Sequence, residues 1–117
     1  AFTNKEIVIE GKNEKLDFTF IEDLAKGCIL AGTKKQGINQ VFNITYGKGQ
    51  TLYSYVLNLK KLFPNLNYKI KPRDKTKPSR GTLSINKAKK LLGFKPEYNL
   101  KKGIKKYFNF LIKNEIF

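Results

Sequence analysis

The apolar positions change period several times along the chain, and each change predicts an element. Ile7, Val8 and Ile9 form a short β-branched run ending at Gly11, which reads as a strand. In "DFTFI", Phe18 and Phe20 alternate with Thr19 and Ile21, the period-two pattern of a second strand. In "EDLAKGCILAG", Leu24, Cys28 and Ala31 fall at helical spacing, and Glu22 and Asp23 suit the positive end of that helix. After the polar loop "TKKQGINQ", Val41 to Ile44 are apolar on both sides, as in a strand covered on two faces.

"TYGKGQ" is a glycine loop, and Thr51 then reads as the N-cap of a helix from Leu52 to Phe63. Leu52, Tyr55, Val56, Leu59, Leu62 and Phe63 give it one apolar stripe, and Pro64 ends it. "YKIK" alternates again, a strand with one wet face, and "PRDKTKPSRG" is a loop with two prolines. Ser84 reads as the cap of a short helix holding Ile85, Ala88, Leu91 and Leu92, closed by Gly93 and Pro96. Asn99 caps a last helix whose stripe is Leu100, Ile104, Tyr107, Phe108 and Leu111. The order is β-β-α-β-α-β-loop-α-α. It predicts an α+β fold with α/β-like alternation in the middle, about four short strands and four helices. At 117 residues, positions 1–117 are expected to make a single domain with a modest core.

Composition narrows the chemistry. There is no His, which removes the commonest general base and metal ligand, and Cys28 has no second cysteine to pair with. No apolar run approaches the roughly 18–20 residues of a membrane span, and no signal-peptide pattern opens the sequence. No membrane partner is therefore expected, and the location expected is cytoplasmic, in a bacterium. The net charge of +15 invites a nucleic-acid reading. The lysines are spread over every segment, however, and the wealth of Lys, Asn, Ile and Phe matches the bias of an A+T-rich genome. Acidic small ligands and a membrane surface are further readings of the same charge.

Two formal motifs fail on inspection. Tyr98-x-x-x-Lys102 straddles a helix start, and with 22 lysines and 6 tyrosines roughly one such spacing arises by chance. Gly47 and Gly49 begin a G-x-G-x-x-G, but Leu52 occupies its third glycine position. No metal-ligand spacing and no catalytic constellation are visible. The arginines are more telling. A chain that spells basic charge as Lys keeps Arg at only Arg73 and Arg80, both in the proline-bearing loop. Arg offers a planar fork that grips phosphate or carboxylate with two parallel hydrogen bonds, whereas Lys offers a point charge. The competing explanation is a structural Arg that pins the loop to a carboxylate or to carbonyl groups.

Three stretches, "KLDFTFIEDLAKGCILA", "VFNITYGKGQTL" and "RDKTKPSRGTLSINKAKKLLGFKPEYNLKKGIKKYFNFL", resemble in order and spacing the C-terminal part of extended short-chain dehydrogenase/reductases. These are the NAD-dependent nucleotide-sugar epimerases and dehydratases of the UDP-glucose 4-epimerase type, and the resemblance covers about residues 7–113. It implies a small substrate-binding part of a Rossmann-type enzyme. The NAD-binding Rossmann part, with its catalytic Tyr and Lys, is absent from this chain. The resemblance implies substrate-binding roles for Arg73 as a diphosphate ligand and Arg80 as a second contact or loop anchor. It places Phe18 beside the nucleotide, and the turn holding Thr45, Gly47 and Gln50 near the base. Many members carry Arg where this chain has Leu16, just before "DF".

The expected partners are a nucleotide-diphosphate sugar and an NAD-binding domain of the same or another chain. No catalytic, cofactor-binding or metal residue is expected in this chain, and NAD belongs to the parent enzyme by resemblance. The isolated chain is expected to bind without catalysing. Val41 to Ile44, with no neighbouring sheet to enter, are expected to pair with a second copy as a homodimer. The alternatives are a stand-alone basic nucleic-acid-binding module and a non-catalytic domain docking onto a separate enzyme chain.

Overall fold

The computed structural model describes residues 6–116. The first five positions, where the opening was read for a signal-peptide pattern, lie outside the described residues. Strand β1 (Ile7–Glu10) leads through a turn at Gly11 into β2 (Lys15–Leu16), helix α1 (Ile21–Thr33) and a short 3-10 turn (Lys35–Gly37). Then come β3 (Gln50–Thr51), α2 (Leu52–Leu62), β4 (Tyr68–Lys71), α3 (Asn86–Leu92) and α4 (Leu100–Lys113). The fold class is as expected, with four short strands and four helices. The strands make two small sheets: β1 runs parallel to β4 with Ile9 opposite Ile70, and β2 pairs antiparallel with β3 with Leu16 opposite Gln50.

Two apolar clusters hold these elements. In one, α2 lays Val56 over the β1–β4 pair, where Ile9 and Leu66 are buried beside Leu52, Tyr55, Leu59 and Tyr68. Helix α4 covers α2 from outside, with Phe63 and Phe108 edge to face at 5.2 Å. In the other, Ile85, Ala88, Leu92 and Phe94 are buried against Leu30 and Ala31 of α1 and against Phe42 and Ile44. Leu92 and Phe94 are wholly buried, and such side chains contribute about 1.5–3 kcal/mol each. Thr51 and Asn99 cap α2 and α4 as expected, accepting from the N–H of Ser54 and Lys102 at 3.0 Å. Gly93 closes α3 in the left-handed region at φ +64°.

Four expectations need correcting. Residues 17–20 are extended but unpaired, so the second strand is Lys15–Leu16, just before the alternating stretch. Residues 41–44 form no strand. Phe42 and Ile44 are apolar because they cover the α3 cluster, while Val41 is 84% exposed. The open strand edge on which the homodimer expectation rested is therefore missing at these residues. On α1 the buried face is Asp23 and Gly27, whereas Leu24 and Cys28 are exposed. Gly27 lets α1 approach closely, since a Cβ there would collide with Ile44 and come within 3.1 Å of Phe94. Ser84 lies one residue outside the N-cap position, which is Ile85, and its hydroxyl accepts from Asn86 N–H at a long 3.4 Å.

Candidate functional site

The loop after β4 is built by its own charges. Asp74 accepts from the N–H and hydroxyl of Thr76 at 2.9 and 2.7 Å, an Asx-type turn. Those two bonds hold its carboxyl below the usual range. Lys77 reaches Glu10 of β1 at 2.6 Å, and that contact raises the lysine's pKa. Arg73 is half-buried and already engaged: its Nε lies 2.8 Å from Glu14 Oε1, and one Nη donates to the Lys77 carbonyl at 2.7 Å. Part of its fork thus anchors the loop to the β1–β2 turn. Arg80 differs. It is exposed, and among the described residues it makes no ion pair or side-chain hydrogen bond.

Both arginines line one cavity of about 540 Å³ formed by β1, Glu14 and Leu16, the start of α2 and this loop. Its walls are apolar at Ile7, Ile9, Leu52 and Val56 and charged at the mouth, where Glu10, Glu14, Asp74 and Lys77 join the arginines. Four of these charges are matched in the pairs Arg73–Glu14 and Lys77–Glu10, and the Arg80 guanidinium, in neither pair, is left available to an oxyanion. Leu16 lines the same cavity.

The other expected site residues lie elsewhere. Phe18 stacks on Tyr55 at 5.1 Å and 12°. It lines a neighbouring cleft of about 280 Å³ with Phe20, Tyr98, Ile104 and Tyr107. Tyr55 lines both spaces, and burial pushes its phenol pKa up. Thr45, Gly47 and Gln50 line neither. Gly47 adopts φ +75° and gives its N–H to Asp17 at 3.0 Å, and a Cβ on it would strike Ile85 at 2.8 Å. The turn is thus pressed onto the segment entering α3. Thr45 Oγ1 is buried without a hydrogen-bond partner among the described residues, and Gln50 is held in β3 opposite Leu16.

Sequence reasoning missed three residues here. Asp17 organises the turn: besides Gly47 it accepts from Leu83 N–H at 3.4 Å, tying the glycine turn to the far end of the arginine loop. Its position opening an apolar alternating run was the available signal. Tyr55 was read as helix core, yet it divides the two spaces. Asp23, read as a helix-end charge, is 1% exposed and accepts from the N–H of Glu97 and Tyr98 at 2.8 and 2.9 Å.

A dinucleotide does not fit the glycine turn. In a dinucleotide-binding loop the pyrophosphate takes the free N–H groups at the helix start. Here the N–H groups of Leu52, Tyr53 and Ser54 go to the Glu14 carbonyl, the Lys12 carbonyl and the Thr51 hydroxyl, at 3.0, 3.1 and 3.0 Å. Tyr98 and Lys102 do not form a catalytic pair either. The Tyr98 hydroxyl lies 2.7 Å from Lys106, which also pairs with Glu22. Among the described residues no group of His, Cys, Asp and Glu could hold a metal ion, and no helix is long and apolar enough to cross a membrane.

No family model matches the chain. It is 32% identical over 116 residues to a putative UDP-glucose 4-epimerase of Methanocaldococcus jannaschii, covering 92% of this chain and 34% of that protein. Among solved structures it superposes on UDP-glucose 4-epimerase from Thermotoga maritima, solved with UDP-glucose. The TM-score is 0.76 at 31% identity, over 94% of this chain and 37% of that one. The chain matches the C-terminal part of short-chain dehydrogenase/reductase epimerases, in sequence and in fold. UDP-glucuronic acid 4-epimerase from Bacillus cereus, solved with UDP-glucuronic acid and NAD, shares the fold at a TM-score of 0.83 and 23% identity, over 96% of this chain and 37% of that one. The chain spans about a third of the length of the relatives it matches. Their organisms include an archaeon and bacteria, so the expected bacterial source finds no particular support.

Proposed function

We propose that this epimerase part binds the diphosphate of a nucleotide sugar, with Arg80 and Arg73 as its forked donors, for an NAD-dependent sugar epimerase or dehydratase. The observation that carries the reading is the shared cavity: the only two arginines of the chain line it together, and Arg80 has no partner in the fold among the described residues. A diphosphate can accept a planar fork through two parallel hydrogen bonds, a geometry that Lys does not offer. Leu16 sharpens the point. By resemblance many members carry Arg at the position of Leu16, and in this chain Arg80 supplies a second fork on the lining of the same cavity. Arg73 has a double role, since its bonds to Glu14 and to the Lys77 carbonyl fix the loop that carries Arg80.

By the same resemblance, NAD and the proton-transferring groups belong to a part that this sequence does not contain. NAD would supply hydride transfer at the sugar, while the residues of this chain hold and orient the diphosphate. The isolated chain therefore binds UDP without turning over a nucleotide sugar. Calorimetry with UDP tests this. Arg80→Lys keeps the charge and removes the fork, so affinity should fall by about tenfold, the loss of one charge-assisted hydrogen bond. Lys75→Arg, in the same loop but outside the cavity lining, should leave it unchanged. Equal affinities for wild type and Arg80→Lys would overturn the assignment.

A further inference from the structure

We infer that the chain carries a second anion site, separate from the arginine cavity, that takes a small phosphorylated ligand through three lysines. The site is a concavity of about 580 Å³ formed by Tyr46, Gly47 and Lys48 of the glycine turn, Lys89 of α3, and Lys95 and Pro96 beyond it. It shares no lining residue with the arginine cavity. Its described lining holds three ammonium groups and no carboxylate, and none of Lys48, Lys89 and Lys95 forms an ion pair with a described residue.

Two features set these lysines apart from ordinary surface charge. The first is an excess of positive over negative charge, with no carboxylate in the described lining. Between Asp23 and Asp74, and again between Asp74 and Glu97, the sequence has no Asp or Glu. Asp17, bonded to the Gly47 and Leu83 N–H groups, brings one negative charge next to the turn. Three lysines against that one carboxylate leave a net positive potential where the concavity would concentrate it. The second is the frame. Three separate segments bring the lysines together, and buried contacts fix each segment. Tyr46 N–H donates to Thr19 Oγ1 at 3.1 Å, and Gly47 is packed on Ile85. Ala88, one residue before Lys89, and Phe94, one before Lys95, are wholly buried. The Asp23 carboxylate then holds the chain at Glu97 and Tyr98.

Point charges converging without forks suit a compact, multiply charged anion whose oxygens can face several ammonium groups at once. Tyr46 and Pro96 add flat apolar walls against which a ring attached to the phosphate can lie. A phosphate-bearing metabolite and free pyrophosphate present the same chemistry here.

The test is amide NMR of the full chain, titrated with pyrophosphate at constant ionic strength and, in a parallel arm, with a sugar monophosphate. The amides of Gly47, Lys48, Lys89 and Lys95 should shift saturably. Joint Lys48→Gln, Lys89→Gln and Lys95→Gln substitution should weaken that response by about tenfold or more, while shifts around Arg80 persist. A control carrying Lys61→Gln, Lys101→Gln and Lys105→Gln, equally exposed but outside the lining, should respond like wild type. Saturation by pyrophosphate alone marks a pyrophosphate site, and saturation by both marks a site for phosphorylated metabolites. Equal loss in the control would reduce the effect to diffuse charge and overturn the site. So would shifts confined to the arginine cavity, or tighter lysine-dependent binding of a single-stranded oligonucleotide than of either small anion. Failure here leaves the Arg80 result untouched, because the two cavities are read by different amides.

Discussion

Asp23 shows what one residue can do in a chain this basic. A wholly buried carboxylate is costly unless its oxygens are satisfied, and here each oxygen takes a backbone N–H from the segment that enters α4. The residue replaces a stretch of secondary structure, since residues 93–99 pair with no strand. Asp23→Ala would leave two N–H groups unpaired at that joint and should lower stability by about 2–4 kcal/mol. Asp23→Asn, which returns one acceptor, should lose less. Urea unfolding measures both, and an alanine variant as stable as wild type would show that the joint holds without the carboxylate. Arg73 belongs to the same class: its ion pair and carbonyl bond make it a loop anchor before it can be a ligand. At Arg73 the retained arginine thus has a structural cause in the fold itself.

At the scale of elements, the helices were legible and the short strands were not. Helix α2 announced itself through Thr51, six apolar positions at helical spacing and Pro64, all local signals. Strands β2 and β3 are two residues each, paired as Lys15 with Thr51 and Leu16 with Gln50, far apart in sequence, and no local period marks them. Residues 41–44 misled because an apolar run looks the same whether a sheet or a helix cluster covers it; tertiary packing decided for the cluster. The two arginines were legible from their rarity, but only the fold shows that they share a cavity and that Phe18 and the glycine turn face elsewhere. The clasp between α1 and α4 was equally hidden. Lys26 pairs with Glu97, and Glu22 pairs with Lys106 at 2.7 Å, with the Tyr98 hydroxyl on the same lysine.

That clasp has a pH signature. Lys106, and after it Tyr98, hold the Glu22 carboxyl below its usual range, and Glu22 raises the Lys106 ammonium. A depressed carboxyl contributes stability that is present above its unfolded pKa and is lost as pH falls through the folded one; a raised lysine contributes below its unfolded pKa and loses it as pH rises through the folded one. The contact therefore holds across the neutral range and weakens at both ends, and its exposure makes it sensitive to salt. In Glu22→Gln, the Lys106 side-chain signals should lose most of their acid-side change between about pH 6 and pH 2. An unchanged profile would assign that change to another carboxyl, such as Glu97.

For the whole molecule, the central proposal is that both arginines of this chain meet one diphosphate. The chain itself supplies a clean measurement, because it has only Arg73 and Arg80. Nitrogen-labelled arginine gives two guanidinium signals, one from a side chain bonded to Glu14 and one from a side chain without a partner among the described residues. Titration with UDP should shift both signals along one saturation curve and slow the exchange of the Arg80 N–H protons as they become bonded. The Arg73 signal should move less, since part of its fork is already occupied. If neither signal moves at UDP concentrations that saturate the amides elsewhere, or if Arg80 responds no differently to inorganic sulfate, the arginine cavity is not the diphosphate site.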